Sequence, residues 1–255
     1  MLGLLFDGQN FFLSRNFRLQ RLGNLAWLRT NFQIFQLASF VDEIVVFHVA
    51  RSADSESFGH ALQGLAEEIF VPLSVGGGIR RLEDADRLFR AGADRVMFSE
   101  MLWSNQTLVE AVRDKYGKQA VVGVMNFTSS EDGEIAIRSA GRAKLGFGSP
   151  SARDAEELVP LVGELVLQSI DRDGTGHGYP LGDLGKFSAL AELPWIASGG
   201  FGLPEHVAQA LLDERLQAAL TSNLLAFVGT GLELARLEAA RSAVDLAEWE
   251  TLPER

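Results

Sequence analysis

Residues Val71 to Glu100, VPLSVGGGIRRLEDADRLFRAGADRVMFSE, decide the fold, because the second half of the chain repeats their pattern. Pro72-Leu73-Ser74-Val75 is a short apolar run with the β-branched character of a buried strand. Gly76-Gly77-Gly78 follows, where the backbone turns tightly and presents its N–H groups. Arg81 to Ala91 places Leu82, Ala85, Leu88 and Phe89 along one helical face, and Arg95 to Phe98 reads as the next strand, ending at Ser99. Residues Leu193 to Leu225, LPWIASGGFGLPEHVAQALLDERLQAALTSNLL, go through the same sequence of events. Pro194 to Ala197 is a strand, Ser198-Gly199-Gly200 a glycine turn, Pro204 to Leu212 a helix, and Ala218 to Leu220 a strand before Thr221-Ser222.

Gly199 follows Gly77 by 122 positions, close to half of the 255 residues. The echo extends upstream, with Asp42 to Phe47 against Gly163 to Gln168 and Leu4-Leu5-Phe6 against Val124-Met125-Asn126. Strand-loop-helix units repeating over half a chain predict an α/β fold, a (β/α)8 TIM barrel built from two half-barrels. The halves are residues 1–119 and 120–244 of a single domain 1–255, with an acidic tail at 245–255.

Bulk composition narrows the function classes. A net charge of −11 argues against a nucleic-acid partner, which needs concentrated Lys and Arg. No stretch approaches the roughly 18 consecutive apolar residues of a spanning helix, so no membrane partner is expected. Met1 to Phe6 reads as a first strand and not as a signal peptide. Cysteine is absent, which excludes disulfides and thiolate chemistry and fits a cytoplasmic location. Four scattered histidines give no metal-ligand spacing, and no cofactor is implied.

Between the repeats, Phe11 to Phe17 reads as a hairpin arm in the first loop. Asn24 to Phe40 is the first helix, Ile44 to Val49 a strand and Phe58 to Phe70 the second helix. Asn105 to Tyr116 is a helix and Ala120 to Phe127 a strand with a second hairpin, Thr128 to Arg138, after it. Ser151 to Val162 is a helix and Glu164 to Ile170 a strand. Asp171 to Pro180 is a polar glycine-rich loop, and Leu232 to Val244 a last helix.

In such a barrel the loops after the strands carry the chemistry. Gly77 and Gly78 with Ser99, and Ser198, Gly199 and Gly200 with Thr221 and Ser222, form two corners of one kind. Each combines N–H donors with a hydroxyl about 21 positions on, which is a phosphate cradle. The two together span a bisphosphate, although glycines at these points also serve plain tight turns. Glu100 sets a negative charge in the first corner, unfavourable to phosphate unless an arginine such as Arg80 offsets it. Asp171 and Asp173 are candidate proton-transfer groups, or turn formers with Gly174 and Thr175. His48 reads as a wall residue. Glu43, Arg95 and Glu164 each stand at a strand start and predict a salt-bridged ring closing the barrel base, which on sequence alone reads as an ordinary structural plug.

VPLSVGGGIR, LQSIDRDGTGHGY and LPWIASGGFG closely resemble the cyclase subunits of imidazole glycerol phosphate synthase, the HisF family, over nearly the whole chain. The sister isomerase family, HisA, shares the half-barrel repeat. The resemblance implies a barrel that takes ammonia from a glutaminase (HisH-like) partner at its base and adds it to a bisphosphorylated aminoimidazole carboxamide nucleotide. Two strand-end aspartates do the acid-base work there. Their positions fall on Leu5 and Asn126; Asp7 substitutes only if the first turn shifts. Gly78, Asp173, Gly174, Thr175, Ser198, Gly200 and Ser222 match phosphate- and substrate-binding positions. Glu43, Arg95 and Glu164 match the ammonia gate, and Asp94 a position against the glutaminase.

Three functions follow. The first is a synthase subunit, diverged from histidine biosynthesis, that uses glutamine-derived ammonia on a phosphorylated or nucleotide-linked sugar. The second is the histidine-pathway cyclase itself, and the third a non-catalytic barrel holding a phosphoester or a partner.

Overall fold

The computed structural model describes residues 1–15, 18–32, 39–50, 55–138, 151–222 and 230–247. Eleven strands make one sheet, and eight of them run parallel. These are β1 (Leu2–Phe6), β2 (Ile44–His48), β3 (Leu73–Gly76), β4 (Arg95–Phe98), β5 (Val121–Ser129), β6 (Glu164–Ser169), β7 (Trp195–Ser198) and β8 (Leu216–Leu220). Each pairs with the next in chain order. A parallel bridge between Leu2 and Thr221 returns the last strand to the first. Gly3 N donates to Thr221 O (2.8 Å) and Thr221 N to Met1 O (3.2 Å) across that seam. Eight parallel strands joined end to end in this way form a (β/α)8 barrel.

The two halves are also visible in the register. Leu5 pairs with Phe47 as Asn126 pairs with Gln168. The seam from β4 to β5, Phe98 opposite Gly123, is repeated from β8 to β1 as Thr221 opposite Leu2. The repeat therefore equates Leu5 with Asn126, one step away from the match of Leu5 with Met125 drawn from sequence. An unbroken apolar run carries no mark of its own register; pairing to the neighbouring strand supplies it.

Strand residues alternate between two apolar compartments. Val45, Met97, Val122, Val124, Val166, Ile196 and Leu220 fill the bore. Leu4, Ile44, Val46, Val75 and Val96 face outward onto Phe58, Leu62, Leu88 and Val109 of the helices. Burial on both faces explains why these strands read as continuous hydrophobic runs.

The first predicted helix is shorter and irregular. Asn24 caps it, its side chain accepting from Trp27 N (3.0 Å), and Leu25–Trp27 is α-helical before a wider π turn at Leu28–Phe32. Residues 33–38 lie outside the described residues. The second helix is Ser55–Ala66; it ends before Phe70, which is 89% exposed. The helix Ala152–Leu158 stops short of Pro160, whose ring cannot continue it. After β6, where the sequence showed no helix, Leu181–Leu190 forms a 3-10 run because Gly182 and Gly185 disfavour an α-helix. The last helix is Gly231–Arg241. Most of the acidic tail, 248–255, lies outside the described residues.

Two hairpins stand on the C-terminal rim of the barrel. In the first, Phe11–Arg15 pairs antiparallel with Arg18–Gly23 and with the end of β1. In the second, β5 runs on and folds back as Ile135–Arg138. Among the described residues no helix is long and apolar enough to cross a membrane.

Candidate functional site

The mouth of the barrel opens into a cavity of about 480 Å³ walled by strand ends and the loops after them. Leu5, Phe47, Met97 and Val124 form its apolar floor, and Asn126, Gln168, Ser198 and Ser222 its polar wall. Leu5 and Asn126, equivalent in the two halves, both face this space. Asn126 is 3% exposed, and its amide nitrogen donates to Ser99 Oγ (3.1 Å). An amide at that point is held in place and exchanges no proton.

The glycine turns match in detail. Gly77, Gly78, Gly199 and Gly200 all lie at positive φ, from 75° to 103°. A Cβ on Gly77 would strike the carbonyl oxygen of His48, the last residue of β2. A Cβ on Gly199 would lie 2.5 Å from the carbonyl oxygen of Ser169, the last residue of β6. Both turns therefore need glycine for the same reason, a close approach to the preceding strand end.

The corners differ in what surrounds them. Around Gly199 and Gly200, Ser198, Thr221, Ser222 and Gly174 line a small recess with Asp173. Ser198 and Thr221 are buried there. Around Gly77 and Gly78, the cavity is lined by Ser99 with Arg80 and Glu100. Ser198, the inner hydroxyl of the second corner, is replaced in the first by Gly76.

The carboxylates raised by the sequence fall in separate places. Asp173 is 4% exposed and accepts a 2.5 Å hydrogen bond from Ser14 Oγ of the first hairpin. Ser14 N also donates to Ser222 O (3.2 Å), so this hairpin is tied across the mouth to the second corner. Asp7 does not line the cavity: its carboxylate accepts from Gln9 N (2.9 Å) and Asn10 N (2.8 Å) and closes its own turn. Asp171 accepts from Ser129 N (2.8 Å) on the extension of β5, away from the cavity lining. Thr175 likewise serves its loop, its hydroxyl donating to Arg172 O (2.8 Å). Ser14 went unnoticed in sequence; its one trace is a lone hydroxyl inside the apolar hairpin run FFLSR. His48 stacks on Phe58 with ring centroids 4.6 Å apart, as a wall residue should.

At the base, the three charged residues come together. Arg95 bridges Glu43 and Glu164, the latter at 2.6 Å, and Ser74 Oγ donates to Glu43. Glu43 is 4% exposed. Burial pushes its carboxyl above the ordinary range, and the charge of Arg95 and the Ser74 hydrogen bond oppose that rise. Asp94 is exposed and exchanges hydrogen bonds with the start of β3, its carboxylate accepting from Leu73 N (2.8 Å).

Against known proteins, a family model described as histidine biosynthesis protein matches residues 32–229. The chain belongs to the histidine biosynthesis protein family. Within the family, a provisionally named imidazole glycerol phosphate synthase subunit hisF2 of Parasynechococcus marenigrum is 37% identical over 251 residues, 98% of this chain and 93% of the relative. The imidazole glycerol phosphate synthase subunit HisF of Acidobacterium capsulatum is 35% identical over 194 residues, 74% of this chain and 75% of its own. That of Methanocaldococcus jannaschii is 35% identical over 207 residues, with 72% and 75% covered. The chain is thus a HisF-like, divergent member of the family, of the cyclase-subunit type.

Proposed function

We propose that this barrel is an ammonia-using synthase subunit that has left the cyclase reaction of histidine biosynthesis and acts on another phosphorylated or nucleotide-linked sugar. One observation carries the proposal: Leu5 and Asn126 occupy equivalent strand positions lining the cavity, where the HisF resemblance calls for two carboxylates. Removing one positioned general acid or base costs about 10² to 10⁴ in rate, and here both are gone. Neither Asp7 nor Asp171 replaces them, since Asp7 is hydrogen-bonded into its own turn and Asp171 to Ser129 on the extension of β5, both outside the cavity lining.

The remaining parts fit a retained use of ammonia. The Glu43–Arg95–Glu164 ring stands at the base, and an apolar bore leads from it to the mouth. A small neutral amine passes such a bore as the free base, while the ring excludes bulk ions. A glutaminase docked beneath the ring, near Asp94, would feed it. The Ser198–Ser222 corner, with its glycine turn and the buried hydroxyls of Ser198 and Thr221, holds the phosphate of the substrate, and Asp173 contacts its sugar.

Co-expression with HisH-like glutaminase subunits tests the reading. The expected result is a complex in which glutamine hydrolysis is accelerated and the Arg95→Glu variant no longer couples the two proteins. A chain that binds no glutaminase and shows no ammonium-dependent chemistry on any sugar phosphate would leave the third function, a binding barrel.

A further inference from the structure

The two corners are not equivalent, and the difference bears on the substrate. The corner at Ser198–Ser222 is rich in donors: glycine N–H groups with hydroxyls from Ser198, Thr221 and Ser222. Its one carboxylate, Asp173, is buried and accepts the Ser14 hydroxyl. The corner at Gly77–Ser99 keeps its glycine turn, has Gly76 where the other has Ser198, and adds Arg80 and Glu100 to the rim. Both of these are exposed, and among the described residues neither forms an ion pair.

Arg80 only donates hydrogen bonds and Glu100 only accepts them. A phosphate satisfies the first and is repelled by the second. A pair of sugar hydroxyls satisfies both, one oxygen accepting from the guanidinium and one O–H donating to the carboxylate. The floor between the corners, Leu5 and Met97, is apolar and suits the hydrophobic face of a sugar ring.

We infer that the substrate carries phosphate at one end only, in the Ser198–Ser222 corner, and presents neutral hydroxyls at the other, where Glu100 selects against a second phosphate. This rests on the second corner being a phosphate site, as proposed above.

Calorimetric titration of the full chain with fructose 6-phosphate and fructose 1,6-bisphosphate, which differ by one phosphate, tests the assignment. The monophosphate is expected to bind at least about tenfold more tightly than the bisphosphate. In Glu100→Gln, which keeps an acceptor but removes the charge, bisphosphate affinity rises about tenfold or more and the preference is lost. In Ser198→Ala, both ligands weaken. A bisphosphate that binds the unchanged chain as tightly as the monophosphate, or a preference unmoved by Glu100→Gln, overturns this inference alone. If neither ligand nor inorganic phosphate binds in a Ser198-dependent way, the phosphate corner itself is wrong and both readings fall together.

Discussion

Replacing Arg95 with Met probes the base ring. Met keeps much of the apolar stem of Arg95 and removes the guanidinium that bridges Glu43 and Glu164. The Glu164 side chain is 33% exposed, so water screens its loss and that arm is worth about 0–1 kcal/mol. The Glu43 side chain is only 5% exposed. Without Arg95 it keeps only the Ser74 hydroxyl and the charge of the Met1 ammonium, and breaking such a buried pair costs about 3–5 kcal/mol, at the low end here because that ammonium remains. Taking about 3 kcal/mol for the whole, the midpoint of thermal unfolding falls by roughly 6–12 °C. The cost must also depend on pH. Glu43 already titrates above its ordinary range because it is buried, and loss of Arg95 raises it further. A carboxyl raised in the folded state stabilises fully below its unfolded pKa, near 4.5, and loses that contribution as pH rises through the folded value. The penalty of Arg95→Met is therefore smaller at pH 5 than at pH 7.5, and adding Glu43→Gln recovers much of it. Guanidinium unfolding followed by circular dichroism at both pH values measures this. A loss under about 1 kcal/mol at pH 7.5, or the same loss at both, refutes the buried-ring argument.

Three further outcomes follow from the mouth. Gly200→Ala puts a Cβ onto the Gly178 carbonyl oxygen at a φ of +94°; it should cost about 1–2 kcal/mol for the left-handed backbone alone, plus the clash, and weaken inorganic phosphate binding measured by calorimetry. Gly3→Val drives a side chain into the Ser222 hydroxyl beside the closing seam, and should lower the unfolding midpoint more than the same change at Gly182, which meets no atom within 4 Å. Ser14→Ala removes the 2.5 Å hydrogen bond to Asp173, a bond to a carboxylate worth about 1.5–3 kcal/mol; hydrogen exchange across Phe11–Arg15 should quicken while that of β3 does not change.

How far the sequence could be read depended on whether a feature was local. The barrel was legible because the two glycine turns recur at half the chain length and because each strand, buried on both faces, is an unbroken apolar run. Glycine at 77 and 199 marked a tight turn, and the close approach of the His48 and Ser169 carbonyls is why glycine is needed there. The ring was legible because Glu43, Arg95 and Glu164 all stand at strand starts. Features set by pairing between distant segments were not. The one-residue shift that equates Leu5 with Asn126 is fixed by Phe47 and Gln168 on neighbouring strands. The bond from Ser14 to Asp173 joins residues 159 positions apart. Asp7 has the strand parity to face the mouth, but two backbone N–H groups of its own turn hold its carboxylate instead. The first helix, read as one run from Asn24 to Phe40, widens into a π turn at Leu28, a change that propensity does not encode.

The most direct test is the cyclase assay with the bisphosphorylated aminoimidazole carboxamide nucleotide and an ammonium salt. If the Leu5 and Asn126 strand ends have lost the proton-transfer pair, the unchanged chain turns over at least about 10² to 10⁴ more slowly than an authentic cyclase subunit. Leu5→Asp combined with Asn126→Asp should raise that rate. Turnover by the unchanged chain at the level of a histidine-pathway cyclase, or a fall in rate in the double variant, contradicts the claim that its chemistry has changed.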